Sequence, residues 1–543
     1  MQEWTIKDGH IIWDCGCKAE IVGPPRYDGG LPLVNITEFP LCKRTADLLA
    51  KGLTKGVFQL EKLGPKYCKD LKPETLEHMA ALAAILRPGC LQVKDERGVS
   101  TTDNYCRRKN NLDKWESQYP EIDDILKETY SLILYQEQIM KIAHKLAGYN
   151  LNERDMLRKH VGKKDMAKLS AIGKDFVDRA EKLGIVTREK AEAIFNDIKK
   201  SGRYSFNASH AYSYGVLGVE TSYLKAHCPL QFFASWLYHA KGKSDAHEEI
   251  GALISDAKRF DIIVAPPDIR NMCKGFHLQN GQIQYGLGDI KGLGDSKFAA
   301  LFSAAENTKT ILGKEVSDLT WNEFLFYILP AISSKEATSL CRAGAFAWTG
   351  KTRERLVNEL LAVNELTKTE LPLAQKGLTE EPVSALLKRW ARPKKEGGIC
   401  SNKNRCVVLE GAAKLLDNPP ASEADHPNLI SGFEEELLGI ALSCSVVDSF
   451  DVNSANNVAA SKAVIVCQIK SLREIKTKKG KNPGQKMGFA SITDGTGEFG
   501  SVVIFPDPYS LYGSVLREGA VVVFDGYMDK QSSFVVNKAY RPA

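Results

Sequence analysis

Arg154, Arg158, Lys159, Lys163 and Lys164 crowd into one stretch, "AGYNLNERDMLRKHVGKKD" (147–165). Two chemistries fit that spacing. Cations near the end of a helix complement its macrodipole, which gives a solvated, charge-balanced helix end. Cations packed this densely can also neutralise a polyphosphate and hold it in line for phosphoryl transfer. A second stretch, "SGRYSFNASHAYSYGVLGVETSYLKAHCP" (201–229), brings Arg203, Tyr204, Phe206, Asn207, Ser209, His210, Tyr212 and Tyr214 into one run. Ring faces beside Asn, Ser and His donors suit a nucleotide pocket. The same run also reads as a helix start capped by Asn207 or Ser209, with its aromatic residues in the core.

Helices must position these groups. Ile139, Ile142, Ala143 and Leu146 follow the i, i+3, i+4, i+7 pattern of an amphipathic helix ahead of the basic stretch. Asn152 fits an N-cap, with Asp155 three residues on as its partner. Met166, Leu169, Phe176, Ala180 and Leu183 predict another amphipathic helix after it. Residues 1–35 read as a strand-and-loop lead-in ending in "VGPPRYDGG", and residues 36–240 as mostly helical. Residues 241–390 are again mainly helical; they include "VAPPDI", read as a helix stop, and "IQYGLGDIKGLGDSKFAALF". Residues 391–455 read as a linker with a short helix, its loops being "RPKKEGGICSNKNRC" (392–406) and "DNPPASEADHPN" (417–428).

From residue 456 to 543 the period changes to two. "KAVIVCQIKSL", "KMGFASITD", "FGSVVIF", "GAVVVFDGYM" and "SFVVNKAY" form five short β runs divided by Gly, Asp and Lys turns, which suits a small OB-type barrel. The fold class expected is therefore α+β and multidomain.

A chain of 543 residues exceeds one hydrophobic core. Its 43% hydrophobic content is that of ordinary globular proteins. The net charge of +6, from 73 basic and 67 acidic residues, permits a polyanionic partner without requiring one. No basic-then-apolar leader and no apolar run of about 18 residues is present, so the expectation is a cytoplasmic protein without a membrane partner. Thirteen scattered cysteines read as reduced thiols. Cys15 and Cys17 with Cys42 could bind zinc, but they offer three thiols without the usual Cys-x-x-Cys spacing, and Cys400 and Cys406 fare no better, so zinc stays the lesser reading and no metal ligand set is assigned.

Nine stretches taken in order resemble the α subunit of bacterial replicative DNA polymerase III, the C family of polymerases. They are "KGVFQLEKLG" (55–64), "ILRPGCLQ" (85–92), "ETYSLILYQEQIM" (128–140), "AGYNLNERDMLRKHVGKKD" (147–165), "RYSFNASHAYSY" (203–214), "YLKAHCP" (223–229), "APPDI" (265–269), "YGLGDIKGLG" (285–294) and "EEELLGIALS" (434–443). "YCRRKN" and "FQLEKLG" look most like the phage-encoded branch.

The resemblance implies a mainly helical fingers domain over 36–240, a helix-hairpin-helix DNA-binding region over 241–390 and a C-terminal five-stranded OB domain. In the family the basic pair contacts the triphosphate, so Arg158, Lys159, Lys163 and Lys164 are expected at an incoming dNTP. Asn207, Ser209 and His210 match the Phe-Asn-x-Ser-His motif beside it. The family has two arginines at the basic pair; Lys159 keeps the charge and loses the bidentate fork. Gln136, Glu137 and Gln138 are expected to brace the fingers, and Arg87 to belong to a turn set by Pro88 and Gly89. Lys291, Gly292, Gly294 and Lys297 match the hairpin, where freed N–H groups approach a DNA phosphate. In the barrel the loop "KTKKGKNPGQK" carries Lys478, Lys479 and Lys481, expected at single-stranded template. Phe489 and Phe505 are either stacking faces or barrel core.

Nucleotidyl transfer in this family needs palm carboxylates holding two Mg2+ ions. An Asp-x-Asp pair with suitable apolar flanks is absent from the sequence, and Asp14 in "HIIWDCGC" does not match the third family aspartate. No catalytic residue is therefore assigned. The reading is the carboxyl-terminal part of an α subunit that binds dNTPs and primer-template DNA. A second polymerase chain is expected to supply the palm and its Mg2+, a piece of a longer subunit being equally compatible with the sequence, and a sliding-clamp contact is a family-level expectation. The expected setting is the cytoplasm of a bacterium or of a phage-infected one. The alternative reading is a non-catalytic DNA-binding module of hairpin plus OB fold.

Overall fold

The computed structural model describes residues 4–23, 33–34, 41–113, 115, 117–163, 166–202, 204–444, 447, 462–477, 483–493, 498–529 and 533–542. The chain divides into two compact units, Met1–Pro229 and Leu230–Ala543.

The first unit opens with an antiparallel sheet, β1 (Trp4–Lys7), β2 (His10–Trp13), β3 (Lys18–Gly23) and β4 (Leu33–Val34), in that order. The reversal between β2 and β3 is tight. Trp13 N donates to Cys17 O at 2.9 Å and Gly16 N to Trp13 O at 2.8 Å. Gly16 takes φ +81°, a left-handed conformation that only a residue without Cβ adopts cheaply. Ile11 and Trp13 bury the inner face of this sheet against Tyr223 and Cys228.

Eleven helices follow among the described residues: α1 (Lys43–Ala50), α2 (Gly64–Leu71), α3 (Leu76–Ile85), α4 (Pro88–Gln92), α5 (Thr101–Lys109), α6 (Asp123–Leu126), α7 (Gln136–Ala147), α8 (Leu151–Lys163), α9 (Met166–Leu183), α10 (Arg188–Ser201) and α11 (Ala208–His227). Ile139, Ile142, Ala143 and Leu146 of α7 are fully buried, as their spacing requires. They share a core with Leu157 and Val161 of α8, Leu169 and Phe176 of α9, and Ile194 and Phe195 of α10. Leu183, expected on the buried face of α9, is 52% exposed, because the helix ends there and Gly184 turns the chain away at φ +69°.

The cap of α8 also differs from the sequence reading. Gly148 at φ +64° ends α7, and Asn150, not Asn152, caps α8. Glu153 N donates to Asn150 Oδ1 at 3.1 Å, and Asn150 N to Glu153 Oε2 at 2.8 Å, a complete capping box. The box needs a carboxylate or amide three residues on that reaches back, and Glu153 is long enough to do so. α11 crosses α3 closely; a Cβ at Gly215 would stand 2.9 Å from Ala80 N.

The second unit begins with α12 (Pro229–His239) and α13 (Ala246–Lys258). A small sheet follows, β5 (Val264–Ala265), β6 (His277–Gln279) and β7 (Gln282–Gln284), with β5 parallel to β7. "VAPPDI", read as a helix stop, therefore starts with a strand; Pro266 and Pro267 end it. Then come α14 (Gly294–Leu312), α15 (Trp321–Glu323), α16 (Ser334–Arg342), α17 (Arg353–Asn364), α18 (Leu371–Lys376), α19 (Val383–Trp390), α20 (Lys403–Asp417) and α21 (Pro427–Leu438). α20 starts inside a stretch expected to be loop. Asn402 caps it, accepting from Arg405 N at 3.0 Å, and Leu409, Ala413 and Leu416 bury one face. A basic, Gly-rich lead hid that helical period.

One ion pair in this unit is fully desolvated. Arg353 Nη2 lies 2.6 Å from Glu434 Oε1, with their side chains 8% and 0% exposed. The other Glu434 oxygen accepts from Leu442 N at 2.6 Å and Ser443 N at 2.8 Å. Glu434 thus ties α17 and α21 to the turn after Gly439, within "EEELLGIALS".

The five β runs close into a barrel. β8 (Lys462–Lys476), β9 (Lys486–Thr493), β10 (Glu498–Ile504), β11 (Val521–Met528) and β12 (Phe534–Tyr540) pair in the order β10-β12-β11-β8-β9, with β10 returning to β9. Only β10 and β12 run parallel, and α22 (Pro506–Tyr512) fills the connection between β10 and β11. Ile465, Cys467, Ile492, Val502, Phe524 and Phe534 alternate inward to form the core. This is the OB-type barrel that the two-residue period predicts. Among the described residues no helix is long and apolar enough to cross a membrane.

Candidate functional site

The basic stretch and the aromatic run meet at the first turn of α7. Arg158, on α8, donates from Nη1 to Gln136 Oε1 at 3.4 Å. Gln136 N donates to Phe206 O at 2.8 Å, and Phe206 N to Leu134 O at 2.9 Å, so the strand-like entry to α7 is zipped to the run before α11. Asn207 caps α11: its Oδ1 accepts from His210 N at 2.9 Å and from Ser209 Oγ at 2.7 Å. Its Nδ2 donates to Glu137 Oε1 at 2.9 Å, while Ala208 N donates to Glu137 Oε2 at 2.8 Å. A carboxylate on these N–H groups favours the positive end of the α11 dipole. The structure therefore brings together Arg158, Asn207, Ser209 and His210 through Gln136 and Glu137.

Gln138 is buried and braces the start of its own helix. Its Oε1 accepts from Leu134 N and Tyr135 N, each at 2.9 Å, and its Nε2 donates to Thr129 Oγ1 at 2.8 Å. His210 lies between two rings, 4.1 Å from Tyr214 and 5.2 Å from Phe206 by centroid.

The cations are held by a residue that the sequence reading used otherwise. Asp155 accepts from Lys159 Nζ at 2.8 Å and from Arg158 Nη2 at 2.7 Å. The hydrogen bonds from Lys159 and Arg158 hold its carboxyl below the usual carboxylate range. Its spacing of three and four residues to the two cations was legible as ion pairing. Exposed pairs of this kind are screened by solvent and hold their partners weakly. The Lys163 side chain and Lys164 lie outside the described residues, as does Arg203.

Arg87 does more than shape a turn. It precedes Pro88 at the start of α4, and its guanidinium stands 4.3 Å from the Phe206 ring centroid. The exposed fork is thereby parked beside the Phe-Asn-x-Ser-His run. Nothing in "RPG" itself announces that partner.

At the hairpin, Gly292 and Gly294 take φ +93° and +56°, and space is open where their Cβ atoms would be. Lys291 is exposed, and its N donates to Leu437 O at 2.9 Å. Lys297 Nζ lies 3.5 Å from Glu336 Oε1. The element before the hairpin is a single 3-10 turn, Leu287–Asp289, where the resemblance implies a helix. Buried Asp289 ties that turn down: Oδ2 accepts from Phe276 N at 3.1 Å, and Oδ1 pairs with Lys241 Nζ at 2.9 Å. Burial pushes the Asp289 carboxyl up.

In the barrel, Lys478, Lys479 and Lys481 lie outside the described residues. Phe489 and Phe505 are 41% and 48% exposed, so both rings face outward and neither belongs to the barrel core.

Comparison with known proteins agrees with this architecture. Residues 32–184 match the family described as bacterial DNA polymerase III alpha subunit finger domain, and residues 261–356 the helix-hairpin-helix motif. The DNA polymerase III subunit alpha of Aquifex aeolicus is 31% identical over 528 residues, covering 94% of this chain and 40% of that protein. Those of Escherichia coli K12 and Bacillus subtilis are each 29% identical, covering 93% and 91% of this chain and 42% and 41% of their own length. The chain thus spans about two fifths of the length of these relatives. With finger domain, hairpin motif and nearly its whole length matched, the chain is similar throughout to bacterial DNA polymerase III α subunits and carries their finger domain.

Proposed function

We propose that this chain is the nucleotide-gripping and DNA-holding component of a replicative DNA-directed DNA polymerase. The observation that carries the reading is the link from Arg158 through Gln136 to the Phe206–His210 run, which gathers cation, amide, hydroxyl and imidazole around one helix start. In this reading Arg158 and Lys159 exchange Asp155 for the triphosphate of an incoming dNTP. Lys163 and Lys164 add charge, and Asn207, Ser209 and His210 line the base and sugar side. The hairpin at Lys291–Lys297 and the barrel loop of Lys478, Lys479 and Lys481 hold primer-template DNA through its backbone.

Nucleotidyl transfer of this kind uses two Mg2+ ions on carboxylates. Among the described residues, the close group of metal-ligating side chains is Cys15, Cys17, Cys42 and His227, soft donors that do not fit Mg2+. No step is therefore assigned to Mg2+ on these residues, and a palm-bearing partner chain supplies the carboxylates.

The test combines this chain with a polypeptide that carries an Asp-x-Asp palm of the same family, a primed template, dNTPs and Mg2+. Primer extension that needs both chains, and that falls by at least about 100-fold in Arg158→Ala and His210→Ala, supports the reading. Extension unchanged in both variants overturns the assigned pocket. DNA binding that persists in a chain inert with any palm partner favours a non-catalytic DNA-binding module.

A further inference from the structure

Cys15, Cys17, Cys42 and His227 lie far apart in sequence, yet their three Sγ atoms and one imidazole nitrogen all lie within 4.8 Å of one another. They come from three elements of the first unit. Cys15 and Cys17 flank Gly16 at the tip of the β2–β3 turn, Cys42 precedes α1, and His227 ends α11. His227 Nε2 is 3.2 Å from the Cys42 sulfur and 4.0 Å from that of Cys15. The imidazole packs at a tilt against Trp13 and Tyr223, with ring centroids 5.2 and 4.1 Å away. Cys42 sits at the N-cap position of α1, and its sulfur, 3.4 Å from Thr45 Oγ1, faces the group.

We propose that these four side chains form a structural zinc site of Cys3His type. A zinc ion about 2.3 Å from each sulfur sets the donors of a tetrahedron about 3.7 Å apart, so the observed group needs only a small contraction. Three soft thiolates and one imidazole suit Zn2+ over Mg2+ or Ca2+. A nucleophilic cysteine paired with histidine needs one sulfur, and two further sulfurs around the same imidazole are what a metal requires. Four protein donors leave no open position, so the role is to fasten and not to catalyse. The ion would clip the amino-terminal sheet to α1 and to the end of α11, the helix whose opposite end carries Asn207, Ser209 and His210.

The full chain purified under reducing conditions should carry about one zinc per molecule by elemental analysis. Cobalt(II) added to the stripped chain should give the visible bands of a tetrahedral ion and a sulfur-to-cobalt charge-transfer band. Cys15→Ser, Cys17→Ser and Cys42→Ser should each lower that band by about a third, and His227→Ala should shift the visible bands. Cys273→Ser, in the other unit, should leave them unchanged. A folded, unmodified chain that holds neither zinc nor tetrahedral cobalt overturns the proposal. So does a Cys15→Ser/Cys42→Ser double variant that binds as tightly as the unmodified chain, or an intact mass showing a disulfide among Cys15, Cys17 and Cys42. Because the unmodified chain is tested directly, variants that fail to fold do not shield the proposal. None of these results bears on the Arg158 pocket.

Discussion

At the residue scale, charge is pre-arranged and provisionally satisfied. Asp155 holds Arg158 and Lys159 where the proposed triphosphate would bind. Replacing Asp155 with Asn removes a competing negative charge, so triphosphate affinity should rise a few-fold at low salt, with the gain fading as salt is added. A fluorescent dNTP titration on the primed complex checks this. Lys159→Arg restores a planar fork and should tighten the same binding modestly, while Lys159→Ala should weaken it. The cations and the Phe-Asn-x-Ser-His run were legible in the sequence because their residue types are unusual together. The spacing of Asp155 to the two cations was legible too, as ion pairing within one helix, whereas the ring partner of Arg87 was not, because a guanidinium on a ring leaves no mark until both segments are in place.

At the element scale, α3 carries a histidine that the fold keeps neutral. His78 Nδ1 accepts from Glu74 N at 3.2 Å, which leaves the proton on Nε2, 2.8 Å from Tyr130 OH. Burial, then the charge of Lys109, pushes its pKa down against the pull of Glu74 and Glu77. With the folded value below the ordinary one of about 6.5, the stability it contributes is complete above that pH and is lost as pH falls through the folded value. Thermal melts between pH 8 and 5 should therefore fall more steeply for the unmodified chain than for His78→Gln. Parallel curves would remove His78 from the acid response. At the α8 start, Asn150→Ala breaks the capping box and should cost about 1 kcal/mol, whereas Asn152→Ala should cost nearly nothing. Apolar periodicity made α7, most of α9 and every barrel strand legible, because burial imposes it. Caps were less so: Asn150 and Asn152 look alike, and only the reach of Glu153 decides between them.

At the scale of the whole molecule, long-range polar contacts hold what periodicity cannot. Glu434→Ala leaves the Arg353 guanidinium buried without its carboxylate and should cost about 3–5 kcal/mol, read as a lower midpoint in urea. Glu434→Gln keeps the shape and should cost less. If the two variants unfold at the same midpoint as the unmodified chain, the pair does not bind α17 to α21. The barrel at 462–540 was predicted in place, yet the approach of His227 to Cys15, Cys17 and Cys42 was not. Sequence spacing alone cannot bring the end of α11 to the tip of a hairpin about two hundred residues earlier, so the three thiols lacked a fourth donor and zinc stayed the lesser reading.

The proposed grip on a triphosphate is tested most directly by nucleotide affinity on a primed template in the presence of a palm-bearing polypeptide, comparing Arg158→Ala with the unmodified chain. A lost charge-assisted hydrogen bond of about 1.5–3 kcal/mol predicts a dNTP Kd weaker by about 10- to 100-fold, with the affinity for the nucleoside monophosphate unchanged. Equal dNTP affinity in the two proteins would contradict the account.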